Sequence, residues 1–227
     1  MSSDTPNNPV CPLDEQDCEY LDEVVTLRAQ TESLSELVHT DTLTGLFNYR
    51  HFTMALEQEM ERTRRAGQPL ALILLDIDHF KKVNDTRGHE VGNQALVHLA
   101  KIMQQMLRRV DVACRYGGEE FAVILPGTPL PRAISAAQRL RQALEESSLP
   151  LEDGSELRIT ASMGVSVYLR DTALSPEGLV KEADHYLYQA KEQGRNRVAH
   201  PDLEQYRPKG QVGADEKAAL FGDGSDE

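Results

Sequence analysis

The stretch Arg115-Tyr116-Gly117-Gly118-Glu119-Glu120-Phe121-Ala122-Val123-Ile124-Leu125 sets two adjacent carboxylates between a Gly-Gly pair and an unbroken apolar run. Such a run reads as a buried strand, and the residues ahead of Gly117 read as the strand before it, so the segment predicts a β-hairpin. A two-residue Gly-Gly connection favours a primed turn. Glycine also lets a ligand come close to the backbone, because it carries no Cβ. Carboxylate oxygens at such a turn suit a hard divalent cation such as Mg²⁺. An ordinary hairpin with two solvated glutamates has the same pattern, and this segment alone leaves both readings open.

Upstream, residues 68–78 read as a second buried strand, because Leu70-Ala71-Leu72-Ile73-Leu74-Leu75 is apolar on both alternations, as expected of a strand covered on both faces. It ends in Asp76-Ile77-Asp78. Side chains two apart on a strand share a face, so Asp76 and Asp78 are expected to emerge together. The alternative is a pair of carboxylates capping the next helix. The residues that follow, His79-Phe80-Lys81-Lys82-Val83-Asn84-Asp85, add backbone amides and lysines near those carboxylates, as a metal–polyphosphate would require. Helical apolar spacing predicts helices over 49–66, 91–109, 131–146 and 176–193, with strands in the intervals. The carboxylates are then expected at one edge of a sheet whose far face is covered by helices.

Six ordered blocks over residues 41–199 resemble the GGDEF family of diguanylate cyclases. Asp41-Thr42-Leu43-Thr44-Gly45-Leu46-Phe47-Asn48 is similar to the family's entry motif, and 76–85 and 84–96 follow its next two blocks. Gly117-Gly118-Glu119-Glu120-Phe121 is the signature in its GGEEF form. Thr160-Ala161-Ser162-Met163-Gly164-Val165-Ser166 looks like the late strand, and Ala183-Asp184 through Ala190-Lys191-Glu192-Gln193-Gly194-Arg195-Asn196-Arg197 looks like the closing helix and turn. The resemblance implies a nucleotidyl-cyclase, polymerase-palm-like α/β fold: a central, mostly antiparallel sheet flanked by helices, preceded by a long N-terminal helix. It also implies a reaction in which two GTP molecules, one on each of two facing domains, condense into cyclic di-GMP with release of two pyrophosphates.

Roles follow from the resemblance position by position. Asp76, Glu119, Glu120 and the Ile77 carbonyl would hold two Mg²⁺ or Mn²⁺ ions per active site, with Glu119 also placed to help deprotonate the attacking 3′-hydroxyl. The backbone amides of Phe80 and Lys81, with Lys191 and Arg195, would meet the phosphates. Without the resemblance, the last two read as a basic helix C-terminus complementing its dipole. Asn84 would touch base or ribose. Asn93 stands where the family usually has aspartate, and an amide cannot accept from guanine N1–H and its exocyclic amine together as a carboxylate does. Arg108 and Asp111 resemble the family's inhibitory product site, with Arg139 a second contact; read by spacing alone, they are an i,i+3 ion pair at a helix end.

The remaining chain sets bounds. Its 227 residues, 40% of them apolar, have room for one mid-sized α/β domain with appendages. A net charge of −13 argues against nucleic acid or an anionic membrane surface as the main partner. No apolar run approaches the ~20 residues of a membrane span, and residues 1–9 lack a signal peptide's charged and apolar regions, so a cytoplasmic location without membrane insertion is expected. Cys11, Cys18 and Cys114 lack metal-ligand spacing and are expected to be reduced, with Cys114 packed in a strand. Residues 1–13 are expected to be disordered, 41–199 to form the cyclase domain, and 200–227 to be an acidic disordered tail. Within 14–40, Tyr20, Val24, Leu27, Thr31, Leu34 and Val38 alternate spacings of four and three, the seam of a parallel homodimeric coiled-coil stalk or of a helix folded back on its domain. Control would come from product, from the stalk, or from a separate regulatory protein docking on it. Two other functions compete with the cyclase: a non-enzymatic module binding cyclic di-GMP, and a cyclase of relaxed base specificity.

Overall fold

The protein is described by a computed structural model that covers residues 39–203 and Thr26. In chain order it contains α1 (Tyr49–Ala66), β1 (Leu70–Ile77), α2 (Phe80–Arg87), α3 (His89–Met106), β2 (Val112–Arg115) and β3 (Glu120–Pro126). There follow α4 (Leu130–Glu146), β4 (Leu149–Pro150), β5 (Glu156–Leu157), β6 (Ala161–Tyr168), α5 (Pro176–Glu192) and β7 (Val198–Ala199). Five strands form one sheet in the order β2-β3-β1-β6-β7, and β4 pairs with β5 as a small ribbon. All pairings of the main sheet are antiparallel except β6 with β7. The α/β fold with a mostly antiparallel sheet is as expected.

Both faces of the sheet are covered, not only the far one. β1 is buried along its whole length, and its alternate side chains enter two different cores. Ala71, Ile73 and Leu75 pack with Leu96, Leu99 and Met103 of α3 and with Ala133, Ala137 and Leu140 of α4. Leu70, Leu72 and Leu74 pack with Phe52, Leu56 and Met60 of α1 and with Leu179, Ala183 and Leu187 of α5. A strand apolar on both alternations can be accommodated only in this way. Asp76 therefore lies at the end of a central strand, between Glu120 of β3 and Ser162 of β6, rather than at a sheet edge. At Gly164 of β6 a Cβ would overlap the Ala183 carbonyl and the Leu187 amide, so this glycine lets α5 lie directly on the sheet.

Local signals account for most boundaries. Asn48 caps α1 by accepting from His51 N at 3.1 Å, and Gly67, at φ 73°, ends that helix. Ser175 caps α5 ahead of Pro176. The eight-residue α2 escapes a periodicity argument because Phe80 is its one buried residue. It starts after His79 in the left-handed region, φ 57°, and is separated from α3 by Gly88 alone.

The signature hairpin departs from the expected two-residue turn. Pairing of β2 with β3 starts at Arg115 opposite Phe121, which leaves a longer loop, and neither Gly117 nor Gly118 takes a positive φ. Tyr116 N and Gly117 N both donate to Glu120 O, at 2.8 and 3.1 Å. The glycine at 117 instead makes room for Glu120, whose Oε2 would lie 2.7 Å from a Cβ there. Arg115 braces the loop, donating to Gly118 O from Nε and Nη2 at 3.2 and 2.8 Å and to both Asp41 oxygens from Nη1 at 3.3 and 3.2 Å. Asp41 also accepts from Thr44 N and Oγ1, at 2.9 and 2.7 Å. The domain's entry turn is thereby tied to its signature loop.

The seam residues Tyr20, Val24, Leu27, Thr31, Leu34 and Val38, with Cys11 and Cys18, lie outside the described residues, as do residues 204–227. Pro201, placed in the disordered tail from sequence, is buried. Cys114 is fully buried and burial pushes its thiol up to about 12, as fits a packing cysteine. Among the described residues no helix is long and apolar enough to cross a membrane.

Burial alone would raise the Asp41 pKa, but the Thr44 hydrogen bonds and the Arg115 guanidinium outweigh it and hold the carboxyl below its ordinary range. A depressed carboxylate contributes stability that is present above its unfolded pKa, near about 4, and lost as pH falls through the lower folded value. Urea denaturation of the wild type and of Asp41→Asn should therefore differ in midpoint at pH 7, with the gap closing in the acid range below about pH 4; a gap constant from pH 7 to 2.5 would contradict this linkage.

Candidate active site

Two central strands deliver the acids. Asp76, the penultimate residue of β1, is 7% exposed and stands in register with Glu120, the first residue of β3. Glu119 precedes it in the signature loop, whose carbonyl accepts from Ile77 N at 3.4 Å. From the last turn of α5, Lys191 reaches Asp76 with Nζ 3.0 Å from Oδ2. Burial raises the Asp76 pKa, Lys191 and Arg195 oppose that rise, and the neighbouring Asp78 adds to it. Burial likewise raises Glu119, helped by the negative charges of Asp76 and Glu120 and opposed by Lys191. The site thus gathers more negative charge than its lysine compensates.

That excess tests the fit of a metal. Hard carboxylate oxygens, partly desolvated and repelling one another, are the donor set a divalent cation neutralises, so Asp76, Glu119 and Glu120 fit such an ion. Among the described residues no three acidic, His or Cys side chains already converge as a closed ligand set; Lys191 stands beside Asp76 instead.

Asp78 does not join Asp76. Its carboxylate is 6% exposed and accepts from Thr160 Oγ1 at 2.8 Å, Ser162 Oγ at 2.7 Å and Asn196 N at 3.0 Å. Nor does it cap α2, which has no side-chain cap. It fastens the end of β1 to the start of β6 and to the turn after α5, where Arg195 and Asn196 both take positive φ. That turn carries Arg195, exposed and close enough to bias Asp76 electrostatically. The serine and threonine of the late-strand motif were the sequence signal for this anchor, but nothing local connects them to residue 78.

The phosphate and base candidates lie on the next two helices. α2 makes its first hydrogen bonds at Lys82 N and Val83 N, both to His79 O, so the Phe80 and Lys81 amides precede the first helical bond and sit at the positive end of the helix dipole. Phe80 is buried and the Lys81 side chain exposed. Asn84 is half-buried with its Oδ1 buried and unpaired, and Asn93 is half-buried on α3.

Arg108, Asp111 and Arg139 come together elsewhere. Arg108 donates to Asp111 from its backbone N at 2.8 Å, Nε at 3.2 Å and Nη2 at 3.0 Å, and its Nη2 also reaches Thr128 Oγ1 at 2.8 Å. The i,i+3 pair expected from spacing alone is therefore formed, and it also lines a cavity of about 280 Å³ shared with Thr128, Arg132 and Arg139. Arg132 was not singled out from sequence. Arg115 was quoted but given no role, although it braces the loop.

Comparison with known proteins agrees with this geometry. The sequence profile of the family described as diguanylate cyclase, GGDEF domain, matches residues 38–197. The response regulator PleD of Caulobacter vibrioides is 43% identical over 173 residues, covering 76% of this chain and 38% of PleD, so the chain spans well under half the length of that curated relative. The coiled coil and GGDEF domain of DgcB from Caulobacter crescentus, solved in complex with c-di-GMP, superposes with a TM-score of 0.75 at 31% identity over 79% of this chain and 94% of DgcB's. The diguanylate cyclase SiaD of Pseudomonas aeruginosa, solved with its activator SiaC, superposes with a TM-score of 0.71 at 36% identity over 79% of this chain and 68% of SiaD's. With the signature loop, the acids at the ends of β1 and β3, and a matched profile over most of its length, the chain belongs to the GGDEF-domain diguanylate cyclase family.

Proposed function

We propose that this protein is a diguanylate cyclase that condenses two GTP molecules into cyclic di-GMP and two pyrophosphates, each of two facing domains holding one GTP. The observation that carries the reading is the ion pair of buried Asp76 with half-buried Lys191, beside Glu119 and Glu120 at the mouth of the sheet. In each half-reaction the 3′-oxygen of one nucleotide bonds to the α-phosphorus of the other, the bond to pyrophosphate breaks, and the hydroxyl proton leaves. Glu119, in the signature loop beside Asp76 and Glu120, helps take up that proton. Lys191 and Arg195 supply cationic charge to the triphosphate, and the Phe80 and Lys81 amides orient it. Asp76, the Ile77 carbonyl, Glu119 and Glu120 would hold two divalent ions, Mg²⁺ or Mn²⁺, which supply charge neutralisation and activation of the 3′-hydroxyl.

Residues 41–199 form the catalytic domain in this reading, preceded by a homodimerising stalk over 14–40 and followed by a tail over 200–227. The stalk brings two domains to face each other and is where a regulatory protein docks. That SiaD was solved with an activator and DgcB with its coiled coil supports both proposals. The cavity of Arg108, Asp111 and Arg139 takes cyclic di-GMP as an inhibitor, two exposed guanidiniums suiting its two phosphates. Asn93 favours a second reading, in which base choice is loosened and mixed cyclic dinucleotides form.

Purified protein incubated with Mg²⁺ and GTP, with and without competing ATP, should yield cyclic di-GMP by mass spectrometry, and Glu120→Gln should lower pyrophosphate release on the order of a hundredfold. Mixed products under ATP competition would establish the second reading, and binding of cyclic di-GMP with no product formed from GTP, alone or with a regulatory partner present, would replace the enzyme with a binding module. Asn93→Asp should tighten GTP binding about tenfold in calorimetry by restoring a second acceptor; equal affinities would remove the proposed defect. Arg108→Ala should straighten progress curves that bend as product accumulates, and curvature unchanged in the variant would sink the inhibitory assignment.

A further inference from the structure

We propose that Gly92 is a positioning residue for base recognition: the space left by its missing Cβ holds the Asn84 amide, and the protein's preference for guanine over adenine depends on that space staying open. The inference rests on the proposed reading of Asn84 as a residue that meets the base.

Gly92 lies in the first turn of α3, buried, and takes no positive φ. Its backbone therefore gives no reason for glycine, one of the weakest helix formers. The reason lies across the α2–α3 contact. A Cβ built on Gly92 would overlap Asn84 Oδ1, and would come within 3.0 Å of Asn84 Cγ and 3.3 Å of Phe80 Cζ. None of these atoms belongs to the backbone. The first two are the end of a short side chain that can rotate away, and the third is a ring edge. A methyl group at 92 therefore has an easy escape that leaves the helices in place and moves Asn84.

The displaced group is unusual. Asn84 Oδ1 is buried against Gly92 and has no hydrogen-bond partner, an unfavourable state for an acceptor that a small turn of the amide toward a ligand's donor would relieve. Guanine offers donors at N1 and at its exocyclic 2-amino group. Adenine has an acceptor at N1 and only C–H at position 2, so it cannot satisfy the same oxygen. Phe80, whose amide is among the proposed phosphate contacts, rests against the same glycine, so one missing methyl group seats both a base contact and the residue that begins α2.

The test is a double-mutant cycle of Gly92→Ala and Asn84→Ala, read by calorimetry with the α-thio analogues of GTP and ATP in Mg²⁺ and by thermal melting. Gly92→Ala should melt at or above the wild-type temperature, because alanine is the better helix former. It should weaken the guanine analogue roughly tenfold and reduce the guanine-over-adenine preference by the same factor. Asn84→Ala should do likewise, and the double variant should be no weaker than Asn84→Ala alone, since both act through one contact. Affinity unchanged in Gly92→Ala, effects that multiply in the double variant, or a fall in melting temperature accompanying the affinity loss would each overturn the proposal. Wild-type protein that binds neither analogue would overturn this inference together with the cyclase reading. Binding that follows the expected pattern without any dinucleotide product would support the inference and overturn the cyclase reading alone.

Discussion

One buried carboxylate holds the candidate-site end of this domain together. Asp78 sits where β1 leaves the sheet and accepts three hydrogen bonds, from Thr160, Ser162 and the Asn196 amide. A carboxylate removed from water is tolerated only when its lone pairs are matched by donors, and such charge-assisted bonds are stronger than neutral ones. Here the donors come from segments 82, 84 and 118 residues away in sequence. The constraint sets the angle at which β1 ends, and so where Asp76 stands. It also pins the turn after α5, and so where Lys191 and Arg195 arrive.

A second tie acts on the other side of the site. Arg115 joins the Gly118 carbonyl to Asp41, and Asp41 is held in turn by Thr44. The signature loop is therefore fastened to the turn through which the chain enters the domain, immediately after the residues expected to form the stalk. A displacement of that entry turn has a short physical route, through one guanidinium, to the loop carrying Glu119 and Glu120. Between the two ties the charge balance is incomplete: Lys191 compensates Asp76, while burial and repulsion raise Glu119. Such a site gains from cations and from a polyanion arriving together, because each offsets the other.

Much of this was legible locally. The all-apolar β1 was readable because a strand buried on both faces has no polar alternation, and the four longer helices were readable from their apolar spacing. The short α2 was not, since eight residues with one buried side chain carry no period. The Gly-Gly pair was read as a primed turn, but strand register left a longer loop in which the glycines take negative φ or extended conformations and Gly117 clears space for Glu120. Asp78 was paired with Asp76 by the alternation rule, which fails once the strand ends and three distant donors claim the second carboxylate.

The sequence by itself determined the chemistry available: which carboxylates, which lysine and arginine, and which amides stand in the family's order, because residue types and their spacing are carried along the chain. It also determined the α/β class, through apolar periods that act over a few residues. Tertiary structure alone decided which acid faces the site and which becomes an anchor, that helices cover both faces of the sheet, and that Lys191 rests on Asp76. It also decided that the amide of Asn84 lies over Gly92. Each of these is a contact between segments far apart in sequence, set by strand register and helix packing, and no local pattern of residues encodes it.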